Sequence, residues 1–416
     1  KPSPEVIEVN KDAVMWAVDG KDDRSVAFAA RLLEQNIQVR IVDKDSVLSG
    51  HNLSRGSVTV IAMDNPNSED LHEIINTVAT DLNMSVVSIE SGFGPKELPD
   101  WGGRHFRLLK KPQIAILSHS GFSSYDVGVS WWSLDHNLGI RHSQLNSSLT
   151  GYGDLRRYNT IILPSGSPDL SNYAKDILMD WVKQGGTLIA NNRSTRSIIS
   201  NDIGSVKNLN NTFDKSKNFS FDLMREIYSK EEYIDISDAN VNIVSTEITY
   251  PWETTDITYS KEELEMRDKW QSTLMPSGGI VSARADNEHW LTFGTEDMVP
   301  VLYGNYPILM TGGNSEAALR IGELLPNKES ETKTINWSQI PSGYDLSVRM
   351  SGLVWPEASQ RIANSAYLTR EKIGKGQIIL FSGEPNFRGS ALGTNRLWLN
   401  AVVYGSGLGT NSLVTP

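Results

Sequence analysis

Ligand chemistry needs polar side chains held where a small molecule can reach them, and three stretches of this 416-residue chain offer that. Each follows an apolar run of strand length. Ser118-His119-Ser120-Gly121 comes after Gln113 to Leu117, so His119 is a candidate polar contact at the carboxyl end of a strand. Asn191-Asn192-Arg193 follows Thr187 to Ala190, where enzymes of strand–turn–helix design place a nucleophile on a sharp turn. Asn cannot attack a carbonyl, because its amide nitrogen has no usable lone pair; Asn191, Asn192 and Arg193 are therefore expected to bind rather than react. Glu384-Pro385-Asn386-Phe387-Arg388 follows Gln377 to Ser382. Here Glu384 and Arg388 are expected to form a charge-assisted pair, with Asn386 satisfying backbone groups of the loop. Each stretch also has a plainer use as a structural turn, and that use is favoured.

Other chemistry is missing from the sequence. None of the seven histidines (His51, His72, His105, His119, His136, His142 and His289) has Glu three residues on, as a carboxypeptidase-type zinc site requires. There is no His-Glu-x-x-His, no Gly-x-Ser-x-Gly, no Gly-x-Gly-x-x-Gly and no phosphate loop. With no cysteine, thiol nucleophiles, disulfides and thiolate metal sites are excluded together. No catalytic residue and no metal ligand is assigned. Eleven tryptophans remain as contact candidates, since Trp stacks on sugar rings and anchors interfaces. Trp131, Trp181 and Trp398 fall in helical apolar patterns and are expected in the core. Trp252 and Trp270 fall in polar sequence and are the better contact candidates.

The composition is that of an ordinary globular chain, with 39% hydrophobic and 21% charged residues. A formal charge of -11 with only Lys110-Lys111 and Arg156-Arg157 as short basic groups argues against nucleic acid as a partner. No apolar run approaches the roughly 20 residues of a membrane span. The absence of cysteine suits an extracytoplasmic (periplasmic or secreted) bacterial protein. Lys1 in place of Met, and the linker-like Lys-Pro-Ser-Pro opening, lead us to expect that something precedes this chain.

The elements that must position these residues read as alternating strands and helices. After a linker over 1–11, residues 12–110 form a first α/β unit: strands near 13–18, 39–42, 57–62 and 85–89, with helices over 25–35 and 69–82. Strand–helix–strand order of this kind predicts a parallel sheet covered by helices. A Gly- and Pro-rich stretch ends it. Residues 111–410 form a second unit, with strands near 113–117, 159–163 and 187–190 and helices over 127–138 and 173–184. Residues 200–277 read as a polar insertion with helices over 221–229 and 261–270. Strands then follow to 382, a closing helix covers 394–403, and 411–416 is a tail.

Several blocks of the second unit look familiar together: Lys111-Pro112-Gln113-Ile114-Ala115-Ile116-Leu117, Trp131-Trp132-Ser133-Leu134-Asp135, Tyr158-Asn159-Thr160-Ile161-Ile162-Leu163-Pro164, Gly185-Gly186-Thr187-Leu188-Ile189-Ala190, and above all Pro385-Asn386-Phe387-Arg388-Gly389. The chain resembles, over about residues 12 to 410, the C-terminal region of large bacterial zinc metallocarboxypeptidases of the carboxypeptidase A superfamily, in which a class I glutamine amidotransferase-like domain follows the peptidase. The resemblance implies an α/β fold of two doubly wound sheet domains, the second flavodoxin-like with an insertion and added strands. It also implies that zinc and catalytic residues belong to an upstream peptidase domain, which would be this region's partner. The expected function is then a non-catalytic accessory region of a peptidase. The alternative is a free-standing peptide- or glycan-binding module. An active amidotransferase would have Cys after the strand ending at Ala190, where this chain has Asn191-Asn192.

Overall fold

Runs of buried β-branched and aliphatic residues become strands, and amphipathic runs between them become helices. A computed structural model describes residues 9–95, 98–146, 154–168, 170, 172–209, 260–335 and 338–410. The expected helix over 221–229, Trp252, most of the 1–11 linker and the 411–416 tail lie outside the described residues. The chain is mixed α/β with several sheets.

In the N-terminal sheet, β1 (Met15–Val18), β2 (Arg40–Val42), β5 (Val58–Ile61), β6 (Val87–Ile89) and β7 (Phe106–Leu108) lie in the order β6-β1-β5-β2-β7, while β3 (Ser46–Leu48) and β4 (His51–Leu53) form a separate hairpin. Every pairing within the five-stranded sheet is antiparallel, which corrects the expected parallel, doubly wound arrangement. The reason lies between β2 and β5. A parallel return needs a crossover, usually a helix, and this connection holds the β3–β4 hairpin instead. Helix α1 (Ser25–Glu34) does carry β1 over to a parallel β2, and α2 (Leu71–Asp81) carries β5 over to a parallel β6. The two crossovers interleave, giving the split βαβ, ferredoxin-like order.

Alternation sends Trp16, Val18, Ile41, Val58 and Val60 to the helix-covered face and Met15, Ala17, Val42, Ile89 and Phe106 to the opposite face under the hairpin.

The large sheet has twelve strands. Its parallel part consists of β8 (Ile114–Ser118), β9 (His142–Asn146), β10 (Thr160–Leu163), β11 (Thr187–Asn191) and the late strand Gly376–Phe381. They lie in the order β9-β8-β10-β11 and then Gly376–Phe381. Beyond that edge the sheet continues antiparallel through β12 (Gly279–Ala285), β13 (Met298–Tyr303), β14 (Ser315–Ile321) and β15 (Ala366–Ile373), and we label Gly376–Phe381 β16.

Helices α3 (Ser124–Trp132), α4 (Asn172–Lys183) and α5 (Arg193–Ser200) connect the parallel strands. Leu178, Trp181, Val182, Ile198 and Ile199 cover one face of that sheet with Leu117, Leu163 and Leu380. The other face, through Ile116, Ile162, Ile189 and Phe381, packs on the closing helix Leu392–Leu408. Helix α6 (Lys261–Thr273) starts at a full capping box, with Ser260 Oγ accepting from Glu263 N–H and the Glu263 carboxylate accepting from Ser260 N–H. It packs on α7 (Pro356–Ile362), and the closing helix is α8. Among the described residues no helix is long and apolar enough to cross a membrane.

Both sheets meet at α8, whose Arg396 is almost wholly buried. Its guanidinium donates to Gly20 O (2.8 Å), Asp22 O (2.9 Å), Ser25 Oγ (3.1 Å) and Asn400 Oδ1 (3.1 Å). Asn400 Nδ2 in turn donates to Leu291 O and Phe293 O. Gly294 sits against this bridge at φ +75, and a Cβ there would lie 2.3 Å from Gly20 O. Removing the guanidinium leaves several buried acceptors without a donor. Arg396→Met is therefore expected to lower unfolding stability by on the order of 3 kcal/mol, read as a shift in urea midpoint; a loss under about 1 kcal/mol would show that the bridge contributes little.

Candidate functional site

Parallel α/β sheets bind ligands at the carboxyl ends of their strands, where neighbouring loops part. Here the loops after β8, β10, β11 and β16 gather at that end. The β11–α5 turn is the tightest. Asn192 has φ 44 and ψ -106, a strained left-handed conformation for a non-glycine residue. The strain is held from both sides: Asn192 N–H donates to Phe381 O, and Thr195 Oγ1 bridges Ala190 O and Phe381 O. A strained strand-to-helix turn of this shape is the backbone device that presents a nucleophile. Here it presents an amide, and Asn192 Nδ2 donates to Glu384 Oε1 at 2.9 Å.

Glu384 also meets Asp126, which lies in the first turn of α3 behind the N-cap Ser123. Burial pushes the Glu384 carboxyl up, and the neighbouring Asp126 charge adds to that, against the Asn192 amide, Arg193 and Ser165. Burial likewise raises Asp126, opposed by Ser123, Arg193 and the contact with Glu384. Both carboxyls are thus held above their usual range, chiefly because burial disfavours the charged form. The Tyr306 hydroxyl completes the cluster: burial and then the charge on Glu384 hold its proton firmly, making it a donor. Its ring packs over Gly383, where a Cβ would lie 2.7 Å from it.

The other expected residues fall around this cluster. His119 is exposed at φ 71, with Nδ1 2.8 Å from Ser118 Oγ. Asn191 is buried at the end of β11, and its Oδ1 has no hydrogen-bond partner. Arg193 is exposed at the start of α5. The expected Glu384–Arg388 pair is replaced by the Asn192–Glu384 bond, and the exposed Arg388 lies over its own Phe387 ring, 4.9 Å from the centroid. Asn386 is buried, its side-chain amide donating to Ser133 Oγ rather than to loop backbone.

Trp270 is buried in α6 and is no surface contact, because α6 turns that face onto α7. Trp181 and Trp398 are buried as expected, but Trp131 is 39% exposed, and Trp132 beside it stacks on His136 at 4.1 Å. Asp126, Ser165 and Tyr306 were not singled out from sequence. Ser123-x-x-Asp126 is a helix-start signature that could have flagged the first, whereas Tyr306 carries no local signal. Among the described residues no group of three or more His, Asp or Glu could hold a metal ion.

No family model matches this chain, and no curated protein does. Solved structures with partial likeness include a ThuA-like protein from Parabacteroides merdae (TM-score 0.36, 12% identity, 74% of this chain and 94% of that one). Another is a ThuA-like protein from Bacteroides uniformis (TM-score 0.33, 11% identity, 70% and 89%). A third is a beta-galactosidase from Bacillus circulans sp. alkalophilus (TM-score 0.31, 12% identity, 88% and 38%). At these scores the likenesses assign no function. These neighbours are ThuA-like proteins and a glycosidase rather than carboxypeptidases, and this overturns the resemblance to zinc metallocarboxypeptidases. The blocks that suggested it are strand-and-turn sequences, which unrelated α/β sheets share.

The carboxyl pair has a consequence for stability. A carboxyl whose pKa is raised by folding stabilises the native state fully below its unfolded pKa and loses that contribution as pH rises through the folded value. Stability is therefore expected to fall from about pH 4 upwards. Glu384→Gln keeps an acceptor for Asn192 and offers a donor to Asp126, so it should flatten this fall. Urea midpoints at pH 4 and pH 7 check it; equal pH dependence in both proteins would show that Glu384 is not raised by folding.

Proposed function

We propose that the parallel part of the large sheet is a flavodoxin-like, glutamine amidotransferase-like unit that binds rather than reacts, and that its cleft recognises a neutral glycan. The strand order supports the fold. Numbered along the chain, the five parallel strands run 2-1-3-4-5, the flavodoxin order, with its switch point between β8 and β10. Asp126, in the first turn of α3 after β8, and Ser165, after β10, follow the two strands on either side of that point.

The observation that carries the function is the residue at the elbow. Asn192 occupies the strained turn, and its amide is a fixed donor to Glu384. An amide, two carboxyls held above their usual range and a phenolic hydroxyl together offer donors and acceptors of the kind sugar hydroxyls require. Beside them on α3, Tyr125 is 86% exposed and Trp132 is 42% exposed, and sugar rings stack on such faces.

Neutral oligosaccharides offered on an array and by titration calorimetry test this reading. Binding without hydrolysis is expected, weakened at least about tenfold, or about 1.4 kcal/mol, by Asn192→Ala and by Tyr125→Ala. No retention of any oligosaccharide, or affinity unchanged in both variants, would sink it.

A further inference from the structure

A cavity of about 800 Å³ opens between the N-terminal sheet and the antiparallel part of the large sheet, lined by none of the residues of the β11–α5 turn. Its volume is that of a small-molecule site. Asp43, Lys44, Arg55, His105 and Arg107 come from the first sheet, and Asp286, Glu288, His289, Glu316 and Arg370 from the second. The lining carries four carboxylates and four cationic side chains, so neither a polyanion nor a polycation is matched.

Half of these charges are already engaged. His105 Nδ1 lies 2.7 Å from Asp43 Oδ1. Arg370 Nη1 donates to Glu316 at 3.1 Å, with its other nitrogens on Gln377 and Gly409 O. Arg107 Nη2 donates to Leu408 O.

The rest are not. Arg55 spends only Nε, on Asp43 O, and its guanidinium lies over the Phe293 ring at 5.2 Å. Asp286 and Glu288 lie near enough to act on the Arg55 charge, yet neither forms an ion pair with it. Lys44 is exposed beside them. Opposite charges thus line one space without closing onto each other.

His289 closes the inner wall. Its side chain is only 8% exposed. Nδ1 accepts from Leu291 N–H at 3.1 Å, which leaves the proton of a neutral ring on Nε2. That Nε2 faces the Glu316 carboxylate at 3.4 Å, which Arg370 also holds, so this side of the cavity is occupied by its own partners. The groups left for a ligand are those at the mouth, Arg55 and Lys44 on one side and Asp286 and Glu288 on the other.

We propose that this cavity is a second binding site and that it takes a small zwitterion of the free amino acid class. The ligand's carboxylate meets Arg55 and Lys44, and its ammonium group meets Glu288 and Asp286. The buried Trp290 and Phe293 supply the apolar wall against which its side chain lies.

Calorimetric titration of the whole chain with L-glutamate, L-arginine, L-leucine and L-phenylalanine tests this, with the N-acetyl and amide derivatives of each as controls. At least one free amino acid is expected to bind one-to-one, and blocking either terminus is expected to weaken it at least tenfold. Arg55→Ala and Glu288→Gln should each cost at least tenfold as well. Glu288 is an exposed loop residue, so Glu288→Gln keeps the test valid if loss of Arg55 perturbs folding. The proposal is overturned if none of the four binds, if blocked and free forms bind equally, or if Glu288→Gln binds like the unaltered chain. Because the cleft shares none of these residues, oligosaccharide binding should be unchanged in Glu288→Gln whichever way that result falls.

Discussion

A charged guanidinium set in the dry interior between two sheets is the constraint on which the arrangement rests. Arg396 cannot be deprotonated, and removed from water it must be given acceptors. The chain supplies them from two carbonyls of the loop between β1 and α1, the hydroxyl of Ser25 at the start of α1, and the Asn400 amide oxygen. Asn400 then fixes the carbonyls of Leu291 and Phe293. One side chain on α8 thereby sets how the N-terminal sheet faces the 290–293 segment, and that spacing leaves the cavity between the sheets open. Gly294 is needed in the same place because the backbone of Gly20 comes too near for any side chain.

The cleft shows how a reactive backbone shape can be separated from reactivity. The turn at Asn192 has the strained dihedrals that aim a side chain out of a sheet, and the hydrogen bonds of Thr195 and Phe381 hold it there. What is aimed is an amide. Opposite it, burial holds the Asp126 and Glu384 carboxyls above their usual range. A carboxyl that takes up a proton turns from acceptor to donor, so the hydrogen-bonding character of this corner can change without moving an atom of the backbone.

Most elements were legible in the sequence because burial periodicity is local. The helices 25–35, 69–82 and 173–184 correspond to Ser25–Glu34, Leu71–Asp81 and Asn172–Lys183. The elbow was legible from a strand ending in Asn191-Asn192. Sheet direction in the first unit was not. Two good βαβ patterns look alike whether they lie side by side or interleave, and only the pairing of β5 between β1 and β2 decides it. The partners of Glu384 were illegible for a similar reason: Asp126 and Asn192 reach it from loops far away in sequence, while Arg388, four residues on, was the obvious but unrealised mate. Trp270 sits in polar sequence yet is buried, because a helix with charges on most positions still turns one face onto its neighbour.

The strand order also bears on how the chain is made. In the N-terminal sheet β1 is paired on both sides by strands that emerge much later, β5 and β6. In the large sheet β11 needs β16, whose Gln377 faces Thr187. Neither sheet can close as its first half leaves the ribosome. Vectorial synthesis at about 5–20 residues per second therefore leaves apolar strands such as Met15–Val18 and Thr187–Asn191 waiting with bare edges for seconds or longer. A nascent chain of this topology is a natural client for holding chaperones, and its yield in a cell should depend on translation speed more than that of a protein built from sequential hairpins.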